Sequence, residues 1–192
     1  MATLIDRIQK SLDKEGLAPR TRQSRAWLQN KISSLNASQR SLFRDVDRTT
    51  RSAFVGHMYF FYYDPKHKEK LPYYDRFPLV LPIEQYGDGF LGINLHYIHP
   101  KERMVLLDKL SETATDKSFD INTRLRLNYQ YLKRASKAFE ARPCIKRYLF
   151  THVKSRFVEI FADEWDIAAM LPMETFVGAG TNKVYADSRK KF

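Results

Sequence analysis

The sequence is poor in several features, and each shortage excludes a class of protein. Cys144 is the only cysteine among 192 residues, which excludes an internal disulfide and a structural zinc site made of cysteines. No apolar run approaches the roughly 20 residues that a membrane-spanning helix requires. The first residues are charged from Asp6 onward and lack the apolar segment of a secretory signal. We therefore expect a protein that is made in the cytoplasm and has no membrane partner.

Acidic residues are scarce relative to basic ones. The chain has 33 Lys and Arg against 22 Asp and Glu, which gives a formal net charge of +11. Such an excess favours nucleic acid or another polyanion as the partner. A solvated basic surface, or an interface with an acidic protein, is the alternative explanation.

Aromatic residues, by contrast, are concentrated between residues 54 and 97. Runs rich in aromatic and β-branched residues, bounded by Pro, Gly and Asp, are typical of strands. Three such runs predict strands at Phe54–Tyr63, Phe77–Ile83 and Phe90–Leu95. Packing in a core explains most of the rings. The twelve aromatic residues of the stretch are Phe54, Tyr59, Phe60, Phe61, Tyr62, Tyr63, Tyr73, Tyr74, Phe77, Tyr86, Phe90 and Tyr97.

Proline and glycine residues refine the prediction for the second strand. Pro78 and Pro82 lack the amide hydrogen that a central strand donates, so this strand is predicted to lie at an edge or to contain a bulge. Residues 87–89, Gly-Asp-Gly, are predicted to supply the positive φ angles of a tight connection to the third strand.

Helical periodicity is found on both sides of the aromatic stretch. Residues 2–15 predict an amphipathic helix that Thr3 and Asp6 cap, and residues 21–35 predict a second helix. The further predicted elements are helices from Pro100, from Asp120 to about Phe139, from Pro143 through Leu149 and over residues 163–171, and a strand over residues 153–161 that returns to the sheet.

These elements predict an α+β fold, in which a small antiparallel aromatic-rich β-sheet or barrel-like meander is flanked by N-terminal and C-terminal helices. We expect three parts along the chain. Residues 1–51 would be a helical N-terminal arm, residues 52–177 an α+β core domain, and residues 178–192 a flexible basic tail. The length suits one main domain.

Most of the net positive charge lies between residues 124 and 156. Ten basic residues there are accompanied by a single acid, Glu140. Arg126, Lys133 and Lys137 share one face of the predicted long helix. A basic stripe of this kind neutralises phosphates with little sequence discrimination, whereas any one of these residues alone is explained as solvated surface. The candidate nucleic-acid-binding residues are Arg124, Arg126, Lys133, Arg134, Lys137, Arg142, Lys146, Arg147, Lys154 and Arg156.

The residues that favour metal binding or catalysis do not form a convincing site. His96 and His99, with His57 or His152 as a third ligand, have no accompanying cysteine or fixed carboxylate. Four acids are candidate ligands of a metal-dependent nuclease, but the usual carboxylate–x–lysine element is missing after the third. These acids are Asp64, Asp75, Glu84 and Asp88.

The possible nucleophiles do not form a convincing catalytic site either. Tyr73, Tyr74 and Cys144 have no evident base and orienting residue, and the chain has no glycine-rich phosphate-binding loop. We therefore predict a protein that is not an enzyme and that needs no cofactor and no metal.

Three segments carry a resemblance to proteins of tailed phages. They are GHMYFFYYDPKHKEKLPYYDRFPLVLPIEQYGDGFLGINLHYIHP, RPCIKRYLFTHVKSRFVEI and EWDIAAMLP. Over roughly residues 54–190 the chain resembles virion proteins of T4-like phages, most of all the family of DNA-end protectors, which are head-completion proteins. A tail or baseplate hub component is the second choice. The resemblance implies a late structural protein of the virion, made in the host cytoplasm and bound to the terminus of packaged double-stranded DNA.

Two hypotheses of function follow. The first is a non-enzymatic virion protein whose basic helices bind or cap double-stranded DNA ends during head completion. The alternative is a tail or baseplate structural component whose basic face binds neighbouring virion proteins, and a nuclease comes third. The expected partners are double-stranded DNA and other phage virion proteins, with homo-oligomerisation left open.

Overall fold

The computed structural model describes residues 3–35, 38–44, 46–114, 127, 129–134 and 143–189. Helices and antiparallel strands are mixed along this chain, so the predicted α+β class is confirmed. The α-helices are α1 Leu4–Lys14, α2 Arg22–Ser33, α3 Gln39–Leu42, α4 Pro100–Ala114, α5 Trp165–Met170 and α6 Thr181–Arg189. The strands are β1 Thr49–Thr50, β2 Met58–Phe60, β3 Tyr74–Asp75, β4 Leu79–Tyr86, β5 Gly89–Asn94, β6 Ile145–Leu149, β7 Phe157–Ile160 and β8 Phe176–Val177.

Six of the described strands form one antiparallel sheet in the order β1-β7-β2-β4-β5-β6, while β3 pairs with β8 in a second sheet. The large sheet is open, with β1 and β6 at its edges. The prediction that β4 lies at an edge or contains a bulge is confirmed through its second alternative. The strand lies between β2 and β5, and its register against β5 shifts between Pro82 and Glu84. A bulge lets a strand that contains proline remain inside a sheet.

The large sheet curls around an aromatic cluster on one of its faces. Side chains alternate along the chain, so that Tyr59 and Phe61 enter this cluster while Met58 enters the main core on the other face. The rings of Phe90 on β5 and Phe157 on β7 have centroids 6.0 Å apart, although β2 and β4 lie between those strands. Such a contact requires strong curvature, which gives the open sheet part of the predicted barrel-like shape.

The helix α1 packs against the main core. The predicted cap is confirmed, because the Thr3 hydroxyl accepts a hydrogen bond from the Asp6 amide at 3.1 Å and the Asp6 carboxylate accepts one from the Thr3 amide at 2.7 Å. Arg48 lies 2.5 Å from the Asp6 carboxylate and 2.6 Å from that of Glu164, which ties α1 to the segment before α5. The buried residues of α1 are Leu4, Ile5, Ile8 and Leu12.

Two predicted segments form a different element in the structure, and the predicted strand Phe54–Tyr63 is shortened to Met58–Phe60. Residues 145–149 form the strand β6 rather than a helix, because their pairing with β5, from Gly89 opposite Leu149 to Ile93 opposite Ile145, provides their backbone hydrogen bonds. Residues 181–189, predicted to be loose, form α6, whose Val184 is buried. In both cases packing against the rest of the molecule overrides a weak local signal. The division of the chain into an arm, a core and a tail stays a prediction.

The connection between β4 and β5 is tight, as predicted, but the expected positive φ angles of its glycines are absent. Tyr86 pairs with Gly89, which leaves Gly87 and Asp88 as a two-residue loop. Neither glycine has a φ in the left-handed region, so the prediction of positive φ angles is wrong. A side chain is excluded at position 89 by space, since a Cβ atom there would lie 1.9 Å from the carbonyl oxygen of Tyr148.

The long helix predicted from Asp120 to about Phe139 is described in part. Residues 127 and 129–134 are helical, and its other residues lie outside the described part of the chain. Throughout the described ranges, no helix combines the length and the apolar character needed to cross a membrane.

Candidate functional site

A cavity of about 490 Å³ lies between β3, β6 and the segment over residues 63–74. Its volume falls within the range of about 300–1,000 Å³ that is usual for ligand pockets. Tyrosines and basic side chains dominate its lining. The tyrosines are Tyr63, Tyr73, Tyr74, Tyr97 and Tyr148, the basic residues are Lys66, His67, Lys146 and Arg147, and the acids are Asp75 and Asp88.

A second cavity, of about 560 Å³, lies beside α4. Its lining includes Ile98, Val105, Leu106 and Cys144, and its two cations are Lys101 and Arg189, the second of which pairs with Glu102. The cavity exposes mainly apolar surface. Such walls offer little to a polyanion, which the basic composition favours as the partner. We therefore take the cavity between β3 and β6 as the candidate site.

The strand β6 provides two cations to this site. The Lys146 ammonium lies 4.5 Å from the centroid of the Tyr97 ring, and the Arg147 guanidinium carbon lies 3.9 Å from that of the Tyr86 ring. Arg147 also forms an ion pair with Asp88, whose side chain is 71% exposed. Because each cation lies over an aromatic ring, both positions are stabilised in the absence of a ligand.

Asp75 is the buried acid of the site and is surrounded by donors. Its Oδ2 lies 2.7 Å from His96 Nδ1 and 3.3 Å from Asn94 Nδ2. Its Oδ1 accepts hydrogen bonds from the backbone amides of Phe77, at 3.1 Å, and Thr175, at 3.3 Å. These four contacts bind β3 to its neighbours and use the oxygens that a metal ion would need, so the carboxylate is structural.

Two tyrosine hydroxyls of the site are hydrogen-bonded and keep their protons at neutral pH. The Tyr63 hydroxyl accepts from the Leu149 amide at 3.1 Å, and the Tyr148 hydroxyl accepts from Asn94 Nδ2 at 3.1 Å. Burial raises the pKa of Tyr63, with the bond from Leu149 opposing part of the rise, and raises the pKa of Tyr148 well above its ordinary value. Each hydroxyl therefore still has a proton to donate.

A second buried network fixes the position of Tyr97. Arg103 on α4 is 1% exposed, and its Nε donates to the Ile98 carbonyl at 2.8 Å. Its Nη2 lies 2.6 Å from Glu174 Oε1. Burial alone raises the pKa of Glu174, but the charges of His96 and Arg103 and the hydrogen bond from Arg103 outweigh it, so that this pKa is lowered. The network thus holds residues 96–98, and Tyr97 with them, against α4.

The structure divides the predicted nucleic-acid-binding residues. Lys146 and Arg147 line the cavity, on a strand rather than on the predicted helix. Four others are exposed outside its lining; these are Lys133, Arg134, Lys154 and Arg156. The remaining four, Arg124, Arg126, Lys137 and Arg142, lie outside the described residues.

Several residues of the cavity were missed by the sequence analysis. Lys66 and His67 belong to the connection after β2, and the tyrosines beside them were interpreted as core or rejected as nucleophiles. The available signal was a basic run, PKHKEK, between the doublets Tyr62-Tyr63 and Tyr73-Tyr74. Aromatic residues interleaved with cations are typical of nucleic-acid-binding surfaces.

His96 and His99, the candidate metal pair, lie in different environments. His96 is fully buried, with its ring 6.0 Å from that of Phe60. The ring of His99 packs at 5.4 Å from that of Tyr185. Among the residues that the structure describes, no three His, Cys, Asp or Glu side chains are grouped so that they could hold a metal ion.

Comparison with known proteins relates the chain to a family. The family model described as Phage T4 terminal DNA protecting protein matches residues 2–190. No curated protein and no solved structure is significantly similar to the chain.

Proposed function

Because the chain belongs to the family of phage T4 terminal DNA protecting proteins, we propose that it binds the ends of double-stranded DNA and shields them during completion of the phage head. The observation that carries this proposal is the family match, which extends over residues 2–190. The description of the family names the terminus of DNA as what is protected. Binding and capping by this chain are the physical means that we propose for that protection.

The charge of the protein supports DNA as the ligand. A net charge of +11 attracts a polyanion over long range and raises the rate of encounter. Lys133, Arg134, Lys154 and Arg156 are exposed, and exposed cations neutralise phosphates along a duplex. Contacts of this kind position a protein on DNA without selecting a sequence.

Shielding of an end requires no covalent chemistry. An exonuclease must reach the terminal phosphodiester bond, and a protein that covers the terminal nucleotides denies it access. Tyr63 and Tyr148 are protonated at neutral pH, because burial raises the pKa of both hydroxyls above the ordinary value. They are therefore suited to hydrogen bonding rather than to nucleophilic attack.

An exonuclease protection assay tests this function. A short and a long blunt-ended duplex, supplied at equal molar concentration of ends, are digested by a processive exonuclease with increasing amounts of the protein. We expect protection at the same ratio of protein to ends for both lengths. Protection that requires protein in proportion to length would indicate general coating of DNA. The absence of protection at saturating protein would contradict the proposal and favour a structural role against acidic neighbours in the virion.

A further inference from the structure

We infer that the cavity between β3 and β6 receives the terminal nucleotide of the DNA end, with its phosphate beside the basic side chains and its base against the tyrosine rings. This inference rests on the proposed function. It goes further by naming the part of the DNA end that is bound and the residues that bind it.

The charges of the cavity fit a phosphate group. Lys66, Lys146 and Arg147 provide three cations, while Asp75 and Asp88 are the acids. The Asp75 carboxylate is already compensated by four hydrogen-bond contacts. Asp88 lies in the exposed β4–β5 loop, where its ion pair with Arg147 is open to solvent, so a phosphate can replace its carboxylate on the guanidinium. The site therefore favours a single anionic group.

The tyrosines fit the other half of a nucleotide. Tyr73 and Tyr74 are half-buried at the cavity wall, so part of each side chain is accessible. Stacking of a base on an aromatic side chain raises affinity by about 5- to 150-fold and is tolerant of sequence. The Tyr63 hydroxyl, which accepts from the Leu149 amide, retains a proton with which to bond a phosphate or sugar oxygen.

The shape of the site selects an end over the interior of a duplex. A volume of about 490 Å³ accommodates one nucleotide and not a base pair with its neighbours. An internal base is stacked on both faces and paired, so its extrusion breaks both stacking and pairing, and the cost is least for bases that are already unpaired. A terminal base has one stacking neighbour and frays readily. Insertion of a nucleotide is therefore least costly at an end.

Two DNA ligands of the same sequence measure the preference of the protein for an end over the interior of a duplex. One is a duplex with a single open blunt end and the other is the same duplex closed at both ends by hairpin loops, so that phosphate contacts along the helix are shared. Affinities are measured by fluorescence anisotropy at one salt concentration. We expect the parent protein to bind the open-ended duplex at least about 5-fold more tightly, as stacking of one base predicts.

Three variants probe the cavity. Tyr74→Leu removes the ring and Tyr74→Phe keeps it, so the first is expected to lose the end preference and the second to retain it. Lys66→Gln changes an exposed side chain and is expected to weaken binding to the open end more than to the closed duplex. Lys14→Gln, at the exposed last turn of α1 and outside the cavity, is the charge-matched control and should preserve the ratio of affinities. Melting temperatures establish that each variant is folded.

The outcomes separate the cavity from the proposed function. If the parent protects ends from the exonuclease but Tyr74→Leu and Lys66→Gln both keep the full end preference, the inference about the cavity is wrong and the proposed function stands. If the parent neither protects ends nor prefers them, both are wrong. Loss of preference in Tyr74→Leu or Lys66→Gln, with the control unchanged, supports the inference.

A second measurement reports directly on the base. A 2-aminopurine base at the terminal position of the duplex should change its fluorescence on saturation with protein, while the same base placed internally should not. Equal changes at both positions would contradict insertion of the end. A free deoxynucleoside monophosphate is titrated as a competitor, and tighter binding of it than of the open-ended duplex would assign the cavity to a free nucleotide instead.

Discussion

At the scale of single residues, Gly89 shows how closely β5 approaches β6. A Cβ atom at this position would lie 1.9 Å from the Tyr148 carbonyl oxygen and 2.9 Å from the carbonyl carbon. Both are backbone atoms, which cannot move aside as the end of a flexible side chain can. The approach matters for the candidate site because Tyr148 and its neighbours in β6 line the cavity.

We expect Gly89→Ala to reduce the free energy of unfolding by about 1–3 kcal/mol, because β6 must shift to admit the methyl group. Chemical denaturation measures the change. The matched control is Gly87→Ala in the adjoining loop, where a Cβ atom has no neighbour within 4 Å. Its effect on the free energy of unfolding should stay within about 1 kcal/mol. Equal stabilities of the two variants would show that β5 and β6 are not in close contact.

Glu174 gives the protein a pH-dependent component of stability. Burial raises its pKa, but the charges of His96 and Arg103 and the hydrogen bond from Arg103 outweigh burial and lower the pKa in the folded state below the ordinary value of 4.5. The stabilisation is therefore complete above pH 4.5 and is lost as the pH falls through the folded-state pKa. We expect Glu174→Gln to be less stable than the parent at neutral pH and the difference to shrink below about pH 4.

Thermal denaturation of parent and variant between pH 3 and 7 checks this dependence. Glu112→Gln, whose side chain is 68% exposed, serves as the control and should change stability little at any pH. A constant difference between parent and Glu174→Gln across the range would mean that ionisation of this carboxyl does not contribute.

At the scale of elements, α1 is part of the main core. Its apolar side chains lie at helical spacing and are 1–4% exposed, and its helix contacts α2, α3 and α5. Arg48 adds ion pairs to Asp6 and Glu164. A projecting arm would leave these side chains in water, so the packing favours a helix that stabilises the whole fold.

We therefore expect Ile8→Ala to cost about 2–5 kcal/mol, as buried large-to-small substitutions do. Arg7→Ala, at an exposed position of the same helix, should change stability by no more than about 0.5 kcal/mol. Urea denaturation of the two variants measures both. A small effect for Ile8→Ala would indicate that α1 contributes independently of the core, as an arm would.

Elements with a strong local pattern could be predicted from the sequence. Residues close together in the sequence determine several features of the fold. Examples are the cap of Thr3 and Asp6, the apolar stripe of α1, and the aromatic runs of β2, β4 and β5. By contrast, β6 exists because β5 lies beside it, and α6 because Val184 finds a buried position. Those causes are distant in the chain and leave little local signal.

The candidate site was predictable only in part for the same reason. The density of basic residues predicted Lys146 and Arg147 as DNA-binding residues, because such a cluster can be recognised from the sequence alone. Lys66 and Tyr74 precede Lys146 and Arg147 by about 70 to 80 positions in the chain, and the fold brings all four residues to the same cavity. The sequence shows which residue types are present, whereas the sheet determines which of them share a cavity.

At the scale of the whole molecule, the positive charge is spread over more than one surface. Lys146 and Arg147 line the cavity, while Lys133 and Arg134 lie on a helical segment outside its lining. A duplex held at its end can contact both kinds of surface if the body of the helix extends from the cavity across the protein. Each phosphate contact then adds to the salt dependence of binding.

We expect the logarithm of the affinity for duplex DNA to fall linearly with the logarithm of the salt concentration, with a slope of about −0.9 per phosphate contacted. The double variant Lys133→Gln with Arg134→Gln should flatten this slope by up to about two units and weaken binding similarly for unrelated sequences. Anisotropy titrations over a range of salt measure the slope, and circular dichroism checks the fold.

The control for this prediction carries the same change in charge elsewhere. Lys10→Gln with Lys14→Gln alters two exposed positions of α1 and should leave the slope nearly as in the parent. If the two double variants have the same slope, DNA does not lie across the segment that contains Lys133. The phosphate contacts should then be sought on β6 and the connection after β2.

The single cysteine has a practical consequence at this scale. Cys144 is 3% exposed, and its carbonyl accepts a hydrogen bond from the amide of Asn94 at 2.8 Å, beside the edge where β5 meets β6. Its thiol is buried in the wall of the cavity beside α4, so the rate at which a reagent labels it reports how often this wall opens. Since no second cysteine competes for the reagent, labelling of the unaltered chain reports on this one position, next to the first residue of β6.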